Sequence, residues 1–258
     1  MTLVKTCGMS RAEDIAAVNI ARPDFVGFVF APSPRRVTAE QAAQLRALLA
    51  PGITPVGVFA NESVAAVSAL VNDGVIDVAQ LHGDEEDAYI EQLRGGLRRG
   101  KIMQVFRVGG SDTQDALVRA RDSHADMVML DRYDERAYGG SGRSFDWSAV
   151  GDLGRDFFLA GGISAVTAAQ AISTLHPYAL DASSSLERGG VKDADLIQEF
   201  VQTVRAVDSQ QRGESQNLLD ASNAAMRSPL GASSKRAILG AHNQKRAHNQ
   251  KREERTAA

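Results

Sequence analysis

Short β-branched or apolar runs alternate with longer stretches of helical periodicity from the first residues to about Val207. The runs predict strands at Leu3–Cys7, Phe25–Phe30, Thr54–Phe59, Val75–Leu81, Lys101–Phe106, Met127–Leu130, Phe157–Ala160 and Tyr178–Leu180. Helices are expected between them, near Arg11–Asn19, Ala39–Leu49, Ser63–Val71, Glu85–Arg94, Thr113–Arg121, Trp147–Val150, Ala165–Leu175 and Asp193–Arg205. Thr38 and Ser164 stand where N-caps belong. Eight strand-then-helix units in about 208 residues predict an α/β fold, a single (β/α)8 TIM barrel. A doubly wound open sheet is the competitor, because it alternates in the same way. The barrel is preferred because polar residues gather at the C-terminal ends of strands far apart in sequence, where closure would bring the loops together.

Past Val207 the apolar periodicity fades. Ala241–Arg246 repeats verbatim as Ala247–Arg252 in a segment rich in Ser, Asn, Gln and Ala. Residues 1–207 are therefore expected to form the catalytic domain. Residues 208–258 are expected to be a polar, basic, mostly disordered tail, with transient helix around Gln216–Met226.

Charge divides along the same line. Residues 209–258 hold 9 Lys/Arg against 4 Asp/Glu, whereas residues 1–208 hold 20 against 28. An acidic body argues against a nucleic-acid-binding core. No run reaches the ~18 to 20 apolar residues of a membrane span, and the N-terminus lacks the pattern of a secretory signal. The single cysteine, Cys7, rules out an intrachain disulfide and a thiolate zinc cluster, and fits a reducing cytoplasm. Nothing compels a dimer, and a monomer is the simpler expectation.

Candidate chemistry sits at the strand ends. Lys5 and Cys7 share one face of the first strand, with Val4 and Thr6 on the other. Cys7 can act as a base if its thiol pKa falls below about 8.5; the alternative is a small buried apolar side chain. Asp131 follows the sixth strand directly, either as a loop cap or as an acid facing Cys7 across a substrate. Gln80 and His82 share a face at the end of the fourth strand and are candidate ligand contacts. Gly161-Gly162 after the seventh strand and Ser183-Ser184 after the eighth occupy the usual phosphate position of a barrel. Arg35 and Arg36 follow the second strand, where an inward guanidinium would hold a carboxylate bidentately. Gly139–Ser144 (GGSGRS) lacks P-loop spacing and reads as a lid.

Taken in order, these segments resemble the phosphoribosylanthranilate isomerase family of tryptophan biosynthesis. The resemblance is carried by Val4–Gly8, Val26–Phe30 with Ser33–Arg36, Val56–Phe59, Gln80–Gly83, Leu130-Asp131, Gly139–Gly142 with Phe145–Trp147, Leu159–Gly162 and Asp181–Ser184. It implies an Amadori rearrangement of N-(5′-phosphoribosyl)anthranilate to 1-(2-carboxyphenylamino)-1-deoxyribulose 5-phosphate, with no metal and no cofactor. By the same carry-over, Asp131 would be the general acid and Cys7 the general base. Arg36 would bind the anthranilate carboxylate, Asp181 would lie near the sugar hydroxyls, and Gly161, Gly162, Ser183 and Ser184 would cradle the phosphate. Three departures stand out: Thr6 for an aliphatic residue, Arg143 for lysine in the lid, and Ser185 for the glycine usual after the serine pair. A positive φ at Ser185 would cost ~1–2 kcal/mol. The aspartate pair expected of the related aminoaldose isomerase of histidine biosynthesis is broken by Cys7. A non-catalytic phosphate-binding barrel remains the alternative of a different class.

Overall fold

The computed structural model describes residues 1–132, 150, 151 and 153–227. Eight strands close into a barrel in chain order. They are β1 (Leu3–Cys7), β2 (Phe25–Val29), β3 (Thr54–Phe59), β4 (Val78–Leu81), β5 (Lys101–Val108), β6 (Met127–Arg132), β7 (Phe157–Ala160) and β8 (Ala179–Ala182). Neighbouring strands run parallel throughout, including β1 with β8 at the closing seam. The helices described are α1 (Ala12–Ala21), α2 (Ala39–Ala47), α3 (Val64–Asn72), α4 (Asp87–Gly96), α5 (Thr113–Asp122), α6 (Ala165–Leu175) and α7 (Ala194–Arg227). The short helix expected around Trp147, and the lid expected at 139–144, lie outside the described residues apart from Val150.

Alternation along each strand sorts the side chains into two layers. Phe25, Val56, Val78, Met103, Met129 and Phe158 fill the barrel interior. Val4, Val26, Phe59, Leu81, Val128 and Leu180 face the helices in a second, larger cluster. The helices start where capping chemistry allows: Thr38 accepts from the Gln41 amide, and Ser164 from the Thr167 amide. Strand ends moved by a few residues. β6 continues through Asp131 and β8 through Asp181, so both carboxylates stand on strands, on the rigid wall of the barrel.

The chain divides into a compact unit of Met1–Ser209 and a second of Gln210–Ala258. The expected loss of structure after Val207 does not occur there, because α7 runs on to Arg227. The reason is local. Apolar periodicity reports whether a helix docks, whereas helix formation needs only good formers and no breaker. From Gln210 to Arg227 there is one glycine, Gly213, and no proline; Pro229 follows just beyond the helix end. Residues 228–258, with the repeated hexapeptide, lie outside the described residues.

Closure depends on an unusual interior pair. Lys5 and Asp181 are register partners across β1 and β8. Lys5 Nζ donates to Asp181 Oδ2 at 2.8 Å, with the lysine side chain wholly removed from solvent. Burial opposes the ammonium, but Asp181 and Cys7 outweigh it and hold the lysine pKa above its ordinary range. Truncating one member of such a pair strands the other charge in the interior. Lys5→Met is therefore expected to cost ~3–5 kcal/mol of stability near neutral pH. The penalty should shrink on acidification, because protonating Asp181 removes the stranded charge. Urea unfolding of both proteins at pH 7 and pH 4 checks this; a loss that does not change with pH would show that packing, and not charge, dominates.

Candidate active site

The C-terminal ends of the strands gather the polar side chains that the interior excludes lower down. Cys7 is one pleat above Lys5 on β1 and is 8% exposed. Its register partner on β2 is Gly27. A Cβ at Gly27 would come within 2.6 Å of the Cys7 sulfur, so the absent side chain makes the thiol's seat. Burial pushes the thiol above its ordinary value, opposed by Lys5 and Lys192 and reinforced by Asp181. This is the reverse of the lowered pKa that an activated thiol would need. Lysines nearby do not offset desolvation in the ligand-free site.

Asp131 projects inward from β6, in phase with Met127 and Met129 of the interior cluster. Its Oδ2 lies 2.9 Å from Nε2 of His82, which extends the inward face of β4 beyond Gln80. Asp131, expected to face Cys7 across a substrate, does not stand diametrically opposite it. In a ring of eight, β5 faces β1, and β6 is reached from β1 through β8 and β7. Gln80 is fully buried, donates weakly to the Met129 sulfur at 3.5 Å, and leaves Oε1 without a partner among the described residues. Asp181 Oδ1 is likewise without a hydrogen-bond partner among them. Two buried acceptors thus face the same interior, and each suits a hydroxyl or amine donor.

The two arginines of the loop after β2 differ in their surroundings. Arg36 is exposed and lines a groove with Phe30, Thr38, Phe59, Glu62 and Leu70, on the helix-facing side of β2 and β3. Val29 and Arg36 form a parallel bridge, which puts Arg36 in phase with Val29 and Gly27. Arg35 turns the other way. Its Cδ stands 2.6 Å from where a Cβ on Gly8 would be, so it crosses directly above the end of β1.

After β8, Gly161 and Gly162 of the neighbouring β7 loop both take positive φ, at 84° and 73°. A side chain at Gly161 would strike the backbone of Arg132, at 2.4 Å from its nitrogen, so that turn admits only glycine. The turn leads into α6 through the Ser164 cap, which leaves helix-terminal amides at the same rim. Ser183 donates through Oγ to the Cys7 carbonyl at 3.1 Å, while Ser184 is exposed. Ser185 lies in a 3₁₀ turn, Ser184–Leu186, and is absent from the positive-φ residues, so the feared backbone strain does not arise. Its hydroxyl instead donates to the Ile163 carbonyl and ties the two loops together.

Two further charged residues were not picked out in the sequence. Glu187 and Lys192 pair across a hairpin, β9 (Glu187–Arg188) and β10 (Val191–Lys192), turned by Gly189 and Gly190 with φ of 59° and 79°. The signal was present: two glycines between short flanks, with opposite charges at equal distances from the turn. Arg35 and Lys192 hold the Glu187 carboxyl down to about 2, against the effect of burial. Among the described residues no group of three or more His, Cys, Asp or Glu could hold a metal, and no helix is long and apolar enough to cross a membrane.

Comparison with known proteins agrees with this arrangement. Residues 4–203 match the family model described as N-(5′-phosphoribosyl)anthranilate (PRA) isomerase. A relative of that name from Endomicrobium trichonymphae is 39% identical over 207 residues, covering 80% of this chain and 100% of the relative. The crystal structure of phosphoribosyl anthranilate isomerase from Thermotoga maritima is 32% identical, with a TM-score of 0.70 over 80% of this chain and 100% of that one. A second solved isomerase holds reduced 1-(o-carboxyphenylamino)-1-deoxyribulose 5-phosphate; it is 27% identical, with a TM-score of 0.68 over the same shares of the two chains. The chain belongs to the N-(5′-phosphoribosyl)anthranilate isomerase family.

Proposed function

We propose that this protein isomerises N-(5′-phosphoribosyl)anthranilate to 1-(2-carboxyphenylamino)-1-deoxyribulose 5-phosphate, with residues 1–207 as the catalytic domain. The observation that supports it most directly is the inward placement of a thiol, Cys7, and a carboxyl, Asp131, at one end of a closed barrel. An Amadori rearrangement needs two proton transfers at neighbouring atoms, and a base and an acid on different strands suit that need.

In this reading the Asp131 carboxyl protonates the furanose ring oxygen. The C1′–O bond breaks as the anilino nitrogen's lone pair forms a protonated C1′=N Schiff base. Cys7 thiolate then removes the C2′ proton, and the electron pair neutralises the nitrogen to give an enolamine. Tautomerisation returns a proton to C1′ and leaves the ketone at C2′. His82, 2.9 Å from Asp131, orients the carboxyl and lies on its route to a fresh proton. The positive Schiff base arises beside a thiol whose burial disfavours its anion. Ring opening therefore supplies the cation that stabilises the thiolate at the moment it is needed.

Recognition divides among three groups. Gly161 and Gly162, with Ser183, Ser184 and the start of α6, hold the phosphate. Asp181 Oδ1 and Gln80 Oε1 accept from the sugar. Arg36 takes the anthranilate carboxylate, while Arg35, engaged by Glu187, packs over the end of β1.

Consumption of phosphoribosylanthranilate, followed by its fluorescence, tests the activity itself. Cys7→Ser should lower kcat by ~10²–10⁴-fold, because a hydroxyl does not ionise near neutrality; retention of about a tenth of the activity or more would remove Cys7 as the base. Asp131→Asn should slow turnover as severely while product-analogue binding persists. A collapse of binding in that variant would make Asp131 a positioning group.

The two arginines separate cleanly. Arg36→Met should weaken binding of a carboxylate-bearing product analogue by ~1.5–3 kcal/mol, the usual worth of a hydrogen bond to a charged group. Arg35→Met should change it less, and the opposite order would move the carboxylate to Arg35.

A raised thiol pKa also fixes the direction of the pH profile. Thiolate is the minor form of the free enzyme at neutrality, so kcat/KM should climb from pH 7 to pH 9. A plateau already reached at pH 7 would mean the thiol ionises below its ordinary range, contrary to its burial.

A further inference from the structure

The hairpin of β9 and β10 has no part in the reading above, yet it sends a nearly buried ammonium to the loop that follows β8. The Lys192 side chain is 3% exposed. Its Nζ donates to the Ser183 carbonyl at 2.8 Å and to Glu187 Oε1 at 2.7 Å, with a longer contact of 3.5 Å to the Ser183 hydroxyl. These contacts account for the three protons of an ammonium. The same Ser183 carbonyl accepts from the Leu186 amide at 3.0 Å, the bond that opens the 3₁₀ turn Ser184–Leu186. Ser183 itself, with φ of −134° and ψ of −82°, belongs to neither strand nor helix. No regular ladder therefore sets the direction of the peptide between Ser183 and Ser184.

A peptide unit is planar and trans, so its C=O and its N–H point in opposite directions. Two donors on the Ser183 oxygen thus fix the Ser184 N–H as well, and turn it away from the hairpin. That N–H, and the Ser185 N–H after it, donate to no group among the described residues. The first amides of a helical turn stay unpaired in this way until a cap or a ligand meets them. With Leu186 as its one anchor, the unit would rotate more freely. Rotation exchanges an amide that attracts an anion for a carbonyl oxygen that repels it.

We propose that Lys192 is a positioning residue for the phosphate subsite: by pinning the Ser183 carbonyl, it aims the Ser184 amide at the phosphate of the substrate. The proposal rests on the isomerase reading and deepens it, since the cradle after β7 and β8 belongs to that reading. Lys192 touches no reacting atom. Its charge is met by Glu187, so it orients a backbone dipole and does not itself neutralise the phosphate.

The rival role is a direct contact between ammonium and phosphate, and the two differ in what happens at the Ser184 amide. Full-length 15N-labelled protein and its Lys192→Met variant are titrated with inorganic phosphate while the Ser184 amide proton resonance is followed. In the unsubstituted protein that resonance should move downfield as the N–H bonds to the anion. In Lys192→Met the movement at saturation should fall by about half or more, and the phosphate dissociation constant should rise ~10-fold, the scale of one hydrogen bond to a charged group. The inhibition constant of anthranilate, which carries no phosphate, should change by no more than roughly 2-fold. Lys192→Gln keeps a neutral donor on a shorter stem and should recover part of the loss; it carries the test alone if the methionine variant does not fold. Weaker phosphate binding with the Ser184 movement intact would overturn positioning in favour of direct contact. Unchanged phosphate binding would show that the peptide needs no second anchor. Equal weakening of phosphate and anthranilate would make Lys192 a general structural residue. Failure of the unsubstituted protein to turn over phosphoribosylanthranilate, with the Ser184 response as expected, would remove the isomerase reading and leave Lys192 aiming the amide of a phosphate site.

Discussion

A lysine with no access to water must find its counter-charge inside the protein, and Lys5 finds it in Asp181, on the strand that closes the barrel against its own. That pairing links the first and last strands at one register position, so the ring cannot shift there without separating two buried charges. It also settles what lies above. Cys7 follows Lys5 by one pleat, and Ser183 follows Asp181 by one pleat, so the thiol and the first residue of the β8 loop emerge side by side. The Ser183 hydroxyl then spans the gap to the Cys7 carbonyl.

Charge is thus arranged in two tiers. The lower tier is balanced, one ammonium against one carboxylate. The upper tier, at the rim, has an excess of cation, because Arg35 and Lys192 share one carboxylate. The thiol sits between the tiers, nearly buried, and burial raises its pKa above the ordinary value. Such a site attracts an anionic ligand without carrying a permanently ionised sulfur, which limits side reactions of the thiolate. Loop-to-loop bonds, such as that from Ser185 to the Ile163 carbonyl, hold the β7 and β8 turns against each other, so the rim is built before a ligand arrives.

How much of this the residues announced depended on which physical signal each part follows. Strand alternation is a strong, local signal, and it yielded the eight strands and the inward faces of Lys5, Cys7, Gln80 and His82. It failed at Arg35 and Arg36, because parity cannot be counted through Pro32 and Pro34 in an irregular loop. Glu187 and Lys192 were missed because their pairing depends on a two-residue turn between strands too short to show any period. The last helix was expected in two pieces, Asp193–Arg205 and a transient stretch around Gln216–Met226, because its second half follows helix propensity without an apolar stripe. The pKa of Cys7 was not legible either. It depends on how completely the barrel excludes water from the thiol, a property of the closed ring and not of neighbours in the chain.

Gly8 illustrates what such crowding does to the evolution of the site. Its φ of 86° lies where side chains are strained, and the space a Cβ would take is already filled by the Arg35 stem, with the Lys192 amine and the Ser183 hydroxyl each 3.4 Å away. One glycine is therefore the meeting point of the β1, β2 and β8 loops and the hairpin. Grafting a new loop after β2 to alter the aromatic acid recognised would have to reproduce an arginine stem lying flat over this backbone. Loops in a barrel are often treated as interchangeable modules on a constant frame. Here three of them, the last carrying the hairpin, converge on one glycine and must change together.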